Sequence, residues 1–125
     1  MAPVSRAIMW FRRDLRLADN PALLNALAEH ADVVPLFVVD PRLVSRSGAP
    51  RLAFMCDALN ALDNSMGRAL VYRHGAPVDV VAAFADEVGA DDVYVARDYG
   101  PYGSARDREV GERLKAGGRR LHGVG

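Results

Sequence analysis

The run Ala7-Ile8-Met9-Trp10-Phe11 decides the fold, because an unbroken apolar run of this length indicates a strand that is buried on both faces. Residues 33–39 have the same character, and residues 69–73, 93–96 and 120–124 predict three more strands. Strands of this kind form parallel sheets that helices cover on both sides. Pro35 donates no hydrogen bond to a neighbouring strand, which predicts an edge or a bulge at that position.

Helical patterns separate the predicted strands. Asn20 is a predicted N-cap, and prolines at 21, 50 and 77 stand where a first helical turn is expected. Ser104 with Asp107 predicts the start of the fourth helix. Left-handed glycine caps are predicted at Gly67 and Gly89. The expected inward-facing residues are Leu23, Leu24 and Leu27 in the first helix, Leu52, Met55, Leu59, Leu62 and Met66 in the second, Val80, Val81, Phe84 and Val88 in the third, and Val110 and Leu114 in the fourth.

This alternation predicts one α/β domain over residues 1–125. The expected architecture is three-layer α/β/α, with a Rossmann-like, doubly wound, five-stranded parallel sheet. Ligands of such sheets bind beyond the carboxyl ends of the strands, where the strand order reverses. The loops at residues 12–20, 40–50 and 97–103 follow the first, second and fourth strands, so we expect them to surround that point.

Composition and the motifs that are missing argue against several classes of function. Sixteen basic residues balance sixteen acidic ones, which argues against broad electrostatic capture of nucleic acid or of a membrane surface. The single cysteine, Cys56, excludes a disulfide framework and fits a cytoplasmic protein. It lies beside the apolar stripe of the second helix, so a buried thiol is expected. No glycine-rich dinucleotide or triphosphate loop follows the first strand.

The remaining candidate residues have two interpretations each. The first loop holds Arg12, Arg13, Asp14 and Arg16, which could bind a phosphate or carboxylate or could form a network that stiffens the loop. Tyr102, together with Tyr99, could line a flat aromatic ligand or cap the core. We expect Trp10 to be a core residue. The histidines His30, His74 and His122 lie on different elements, without metal-ligand spacing, and are expected at the surface or at strand ends.

The sequence resembles the photolyase/cryptochrome family. The segments that carry the resemblance are Met9-Trp10-Phe11-Arg12-Arg13-Asp14-Leu15-Arg16-Leu17, Phe37-Val38-Val39-Asp40-Pro41, Gly75-Ala76-Pro77, and Val93-Tyr94-Val95 with Asp98-Tyr99, Pro101-Tyr102 and Arg106-Asp107. They occur in the family's order over nearly the whole chain. The resemblance implies the N-terminal antenna domain of a deoxyribodipyrimidine photolyase, a light-driven DNA repair flavoprotein. In that family FAD and the face that binds damaged DNA belong to a C-terminal helical domain, absent here, so we expect this chain alone to repair nothing.

The resemblance also implies an antenna-chromophore site. Deazaflavin-binding members contact the chromophore from positions that correspond here to Phe37, Val38, Asp40, Arg51 and Asp98. Folate-using members carry a glutamate before the Ala-Arg-Asp of the fourth helix, where this sequence has Gly103. This departure favours an 8-hydroxy-5-deazaflavin or a flavin over methenyltetrahydrofolate. Two alternatives stay open: a cryptochrome fragment, and a stand-alone nucleotide- or flavin-binding module with a universal-stress-protein-like fold.

Overall fold

The computed structural model describes residues 6–12, 15–41 and 48–125. Arg13 and Asp14 lie outside the described residues, as does most of the loop predicted at 40–50. The strands with described bounds are β1 Arg6–Phe11, β2 Asp32–Val39, β3 Val71–His74, β4 Asp92–Ala96 and β5 Arg120–Val124, and the helices are α1 Pro21–Glu29, α2 Ala49–Ser65, α3 Pro77–Val88 and α4 Pro101–Ala116.

The strands form one parallel sheet in the order β3-β2-β1-β4-β5. The predicted doubly wound α/β fold is therefore confirmed. The chain builds outward from β1 to β3, returns to β4 on the other side of β1, and continues to β5. The strand order reverses between β1 and β4, which places the expected crevice at the carboxyl ends of these two central strands.

The side chains of β1 alternate between two cores. Ile8 and Trp10 pack with α3 and α4, whereas Met9 and Phe11 pack with α1 and α2 on the opposite face. All four are at most 2% exposed. Full burial of a large apolar side chain stabilises a fold by about 1.5–3 kcal/mol, so β1 contributes hydrophobic stability on both faces of the sheet.

Pro35 lies in an interior strand, not at an edge of the sheet. β2 runs between β1 and β3, and Pro35 is in register with Met9 of β1. On the other side the register with β3 begins only at Leu36, which pairs with Val71. Position 35 therefore has a strand partner on one side alone, which is how a residue without an N–H fits into this sheet.

The predicted apolar stripe of α1 is wrong at two of its three positions. Leu24 and Leu27 are more than half exposed, and α1 instead buries Ala22 and Ala26 completely. Small side chains let the helix backbone approach the sheet closely. Leu24 and Leu27 turn outward, whereas Leu23 is partly buried against the same core. The predicted N-cap of α1 is confirmed, since Asn20 accepts a hydrogen bond from the Leu23 amide at 3.2 Å.

Two further expectations are corrected on α4 and α2. The fourth helix begins at Pro101, after Gly100, so Ser104 is a helical residue whose hydroxyl donates to the Asp98 carbonyl. Cys56 is exposed and not buried as expected, because it lies at the side of the stripe that buries Leu59 and Leu62. The left-handed cap predicted at Gly89 is confirmed, with a φ of 70°. Among the described residues no helix is long and apolar enough to span a membrane.

Candidate functional site

An open cavity of about 240 Å³ lies at the carboxyl edge of the sheet. The ends of β1 and β2 and the segment after β4 form its floor, and the first two turns of α2, α3 and α4 contribute to its walls. The described lining residues are Trp10, Phe11, Arg12, Phe37, Val38, Asp40, Met55, Pro77, Asp98, Tyr102 and Arg106. A second cavity of about 250 Å³ lies between the ends of β1 and β4 and shares Trp10, Phe11, Arg12 and Asp98 with the first.

The structure brings most of the predicted site residues to this one place. Four of the five residues that the family resemblance indicated line the cavity, namely Phe37, Val38, Asp40 and Asp98. The fifth, Arg51, is exposed in the first turn of α2 and is not among the lining residues. From the loop group, Arg12 and Tyr102 line the cavity, whereas Arg16 is exposed.

The cavity walls combine flat rings with flexible apolar groups. The Trp10 indole and the Phe37 ring each expose less than a tenth of their surface, so they act as fixed walls. Phe37 is braced from behind by Tyr72 in an edge-to-face contact with a 6.3 Å centroid separation. Met55 adds a polarisable side chain from α2 that adapts to the shape of a ligand.

A charged network closes the side of the cavity nearest α4. Arg12 contacts the Asp107 carboxylate and the Ala96 carbonyl. Arg106 donates to Asp107 at 3.2 Å and contacts Asp98 at 3.4 Å. All four side chains are less than a fifth exposed, so their mutual interactions are weakly screened by water. The Arg12–Asp107 pair ties the end of β1 to α4 across most of the length of the chain.

Burial lowers the pKa of the Arg12 guanidinium, because desolvation penalises the cation. The Asp107 carboxylate opposes this shift by hydrogen bonding, while the nearby Arg106 adds to it. Arginine ordinarily titrates so far above neutrality that Arg12 stays charged. The carboxyl edge therefore keeps the Arg12 cation throughout the physiological pH range.

Gly103 makes the position of Asp98 possible. A Cβ built at residue 103 would overlap the Asp98 carboxyl group, so Asp98 occupies the space that any side chain there would take. The Gly100 amide donates to the Asp98 carboxylate at 3.0 Å, which fixes it further. The missing side chain at 103 thus lets a carboxylate face the cavity.

Asp40 is the second carboxylate at the cavity. It follows β2 directly, and only 3% of the residue is exposed. A carboxylate this deeply buried beside an open cavity can accept a hydrogen bond from an N–H or O–H group of a ligand.

Sequence reasoning missed three contributors to the site. In the sequence Arg106 stands out only within a motif of the family resemblance, Asp107 fits a helix cap, and Trp10 is predicted as a core residue with no cavity beside it. Trp10 is a core residue as predicted, at 2% exposure, and it also lines the cavity. The predicted helix start at Ser104 overlooks Pro101, although a proline also stands in the first turn of each of the other three helices. Pro101 is thus the signal that places Arg106 and Asp107 in the early turns of α4, beside the site.

A different polar cluster lies at the amino edge of the sheet. His30 and His122 contact the two oxygens of the buried Asp92 carboxylate at 3.1 and 2.8 Å. Tyr94 stacks on His122 and donates from its hydroxyl to Glu29 at 2.7 Å. The His30 side chain is only 7% exposed, so of its two expected positions the surface is wrong, while it does lie two residues before the start of β2. No set of three or more potential ligands among the described residues could hold a metal ion.

Comparison with known proteins agrees with this class of fold, a doubly wound parallel α/β domain. The DNA photolyase family model matches residues 7–125. The deoxyribodipyrimidine photo-lyase of Streptomyces griseus is 42% identical over 125 residues, which cover 95% of this chain and 27% of that protein. A cryptochrome DASH of Solanum lycopersicum is 37% identical, covering 74% of this chain and 18% of that protein.

A solved archaeal photolyase from Sulfolobus tokodaii superposes with a TM-score of 0.88 at 33% identity, over 95% of this chain and 29% of that one. It was described as containing two FAD molecules, with the implication of a novel light-harvesting cofactor. The chain belongs to the DNA photolyase family and corresponds to the family's N-terminal α/β domain. It spans about a quarter of the length of the Streptomyces relative. The family match excludes the alternative of a universal-stress-protein-like module.

Proposed function

We propose that this chain is the light-collecting domain of a photolyase and that its cavity binds a chromophore of the flavin or deazaflavin class. The observation that carries the proposal is the cavity at the strand-order reversal, where Phe37, Val38, Asp40 and Asp98 meet. The bound chromophore would absorb light and pass the excitation to FAD in the helical domain of the full-length protein. The cryptochrome alternative shares this domain function and differs in what the full-length protein does.

The residues present fit a flat, polar-edged ring. Trp10 and Phe37 offer apolar faces, and Asp40 and Asp98 offer acceptors for ring N–H or O–H donors. The guanidiniums of Arg12 and Arg106 supply donors for carbonyl or phenolate oxygens. At about 240 Å³ the cavity lies just below the usual ~300–1,000 Å³ range of small-molecule sites. It therefore suits a ring system, with any tail of the chromophore outside.

Gly103 supports the preference for a flavin-class ring over a folate. The glutamate that the family resemblance associates with folate cannot be accommodated at residue 103 while Asp98 keeps its place. The Sulfolobus photolyase, described with a second FAD molecule, supports the same preference by family likeness.

Repair of damaged DNA belongs, in this proposal, to the helical domain of the full-length protein. A net charge of zero supports this division, since duplex DNA is bound largely through its phosphates. We expect the isolated chain to show no light-dependent splitting of pyrimidine dimers. Repair by this polypeptide alone would contradict the proposal.

Equilibrium binding tests the chromophore class. The purified chain is titrated into riboflavin, FAD, 8-hydroxy-5-deazaflavin and methenyltetrahydrofolate, and the fluorescence anisotropy of each chromophore is recorded. We expect flavin or deazaflavin to bind more tightly than the folate. A folded chain that binds none of these compounds, or that prefers the folate, would contradict the proposal.

A pair of neighbouring variants locates the binding site. Met55→Trp adds an indole inside the cavity and is expected to reduce binding, because it occupies the space of the ring. Phe54→Trp places the same indole one residue away on the exposed face of α2, where 78% of Phe54 is accessible, and should leave binding unchanged. Equal losses in both variants would indicate that the ligand binds elsewhere.

A further inference from the structure

Trp10 is the only tryptophan of the chain, and two cations hold its ring. The guanidinium carbon of Arg12 lies 4.9 Å from the ring centroid, and that of Arg106 lies 5.6 Å from it. The indole lines both cavities of the carboxyl edge. A ligand in either cavity would therefore be next to an aromatic ring that is in contact with two buried guanidinium cations.

In an antenna, a tryptophan at this position would allow electron transfer to compete with the transfer of excitation energy. Among protein side chains indole is one of the easiest to oxidise, and a photoexcited flavin-class ring is a strong one-electron oxidant. In the quenching step one electron leaves Trp10 and enters the excited ring, while no bond forms or breaks. The excitation is then lost as charge separation and cannot be passed on.

We propose that Arg12 and Arg106 protect the excited chromophore by keeping Trp10 from giving up an electron. The inference rests on the proposed function. A guanidinium is attracted by the electron-rich face of a neutral indole and is repelled by the indole radical cation. Both cations therefore favour the neutral ring. Arg12 and Arg106 act on Trp10 and not on the chromophore, because the transfer of excitation needs no contact with them.

The surroundings make the effect substantial. The Arg12 and Arg106 side chains are 11% and 14% exposed, so water screens their charges weakly. The carboxylates of Asp98 and Asp107 partly offset the positive field and also hold both guanidiniums in place. Removing one guanidinium charge would leave these two carboxylates with a single cationic partner, and the field at Trp10 would become more negative.

Arg73 offers a matched control outside the site. Its guanidinium lies 5.1 Å from the ring centroid of Phe84, in a contact of the same geometry. Its side chain is 42% exposed and pairs with Glu87. Arg73→Gln therefore removes a cation from an aromatic ring of the same domain without changing the charge beside Trp10.

The first experiment uses the chain without any chromophore. A photogenerated ruthenium(III) polypyridyl oxidant is mixed with the protein, and the transient absorption of the tryptophan radical reports Trp10 alone, because no other tryptophan is present. We expect Arg106→Gln to raise the rate of Trp10 oxidation several-fold, while Arg106→Lys, which keeps the charge, and Arg73→Gln stay near wild type. Equal rates in the Gln and Lys variants at residue 106, or no increase in Arg106→Gln, would overturn the inference.

The second experiment uses bound riboflavin and its fluorescence lifetime. Arg106→Gln should shorten the lifetime several-fold, and the additional substitution Trp10→Phe should restore it. A lifetime that is unchanged in Arg106→Gln while riboflavin stays bound would overturn the inference and leave the proposed function intact. Failure of every chromophore to bind would instead overturn the proposed function, and the oxidation rates would still decide whether the arginines shield Trp10.

Discussion

The two edges of this sheet both carry buried charges, but they use them differently. At the amino edge, Asp92 is surrounded by His30, His122 and Arg120. At the carboxyl edge, Arg12 and Arg106 pair with carboxylates around an open cavity. One edge gathers basic side chains around a single carboxylate, and the other pairs two guanidiniums with two carboxylates.

The difference distinguishes charged groups that hold the fold together from charged groups that surround a candidate ligand site. The amino-edge cluster connects α1, β4 and the outermost strand β5, so its consequence is the attachment of an edge strand. The carboxyl-edge network holds its groups around a volume that the protein leaves unfilled, at the position where sheets of this kind bind ligands. Burial and ion pairing are common to both edges, so the candidate site is identified by the cavity that its groups surround.

The largest expected effect tests the amino edge. Asp92→Ala removes the carboxylate that three basic side chains share, and should lower the free energy of unfolding by about 3 kcal/mol, as breaking a buried ion pair does. Urea denaturation measures the change. Asp91→Ala, at the exposed preceding residue, is the control and should cost about 0.5 kcal/mol or less. Equal losses would mean that the cluster does not anchor β5.

The next effect sharpens the contrast at the carboxyl edge. Gly103→Ala forces the Asp98 carboxyl group out of its place and should cost about 1–3 kcal/mol of stability through overpacking. It should also weaken chromophore binding in the anisotropy titration. Gly111→Ala lies in the same helix, where a Cβ would make only ordinary contacts with Leu121, and should stabilise the chain by about 0.5–1 kcal/mol. Destabilisation by both changes would point to α4 as a whole and not to Asp98.

The dependence of stability on pH should come from the amino edge. Burial acts to raise the pKa of Asp92, but the hydrogen bond from His122 and the charges of Arg120 and the two histidines hold it below its usual value of 3.8. A carboxylate with a lowered folded-state pKa stabilises the fold above its unfolded pKa, and this contribution is lost as the pH falls through the folded value. The free energy of unfolding should therefore decline below about pH 4, with a slope of at most ~1.4 kcal/mol per pH unit from this group.

Asp92→Asn provides the comparison for that pH series. Urea denaturation at several pH values between neutrality and pH 3 should give a shallower decline for the variant than for the wild type. The same decline in both proteins would assign the acid sensitivity to other carboxylates.

The smallest expected effect concerns Tyr94. Burial and the hydrogen bond to Glu29 raise the pKa of its hydroxyl, so it remains a donor at all physiological pH values. Tyr94→Phe removes this donor while keeping the stacked ring, and should cost about 1 kcal/mol in thermal or urea unfolding. Glu29→Gln keeps an acceptor and should cost less. A larger loss in Glu29→Gln would show that Glu29 acts through another contact.

The sequence predicted the sheet well because β1 and β2 are continuous apolar runs. It failed on α1, where hydrophobicity favours leucine although Ala22 and Ala26 make the close contact with the sheet. How near a helix lies to a sheet is a tertiary property, and a stripe of leucines gives no sign of it. The same limit applies to Cys56, whose exposure depends on a small rotation of α2.

The residues of the candidate site could be predicted only in part from the sequence. Residues directly after strands could be placed, since the carboxyl ends of parallel strands meet at one edge. The Arg12–Asp107 pair joins residues that are 95 positions apart, and the His122–Asp92 pair joins residues 30 apart. Pairs of this kind depend on strand order and helix position, which local spacing does not encode.

The exposed thiol of Cys56 gives the domain a practical use. The chain has one cysteine and one tryptophan, and Cys56 lies on α2 next to Met55, which lines the cavity. A dye attached to this single thiol would stand close to the cavity on a helix of fixed position. It could serve as an artificial acceptor for energy from a bound chromophore, so that light collection could be measured as sensitised emission without the second domain.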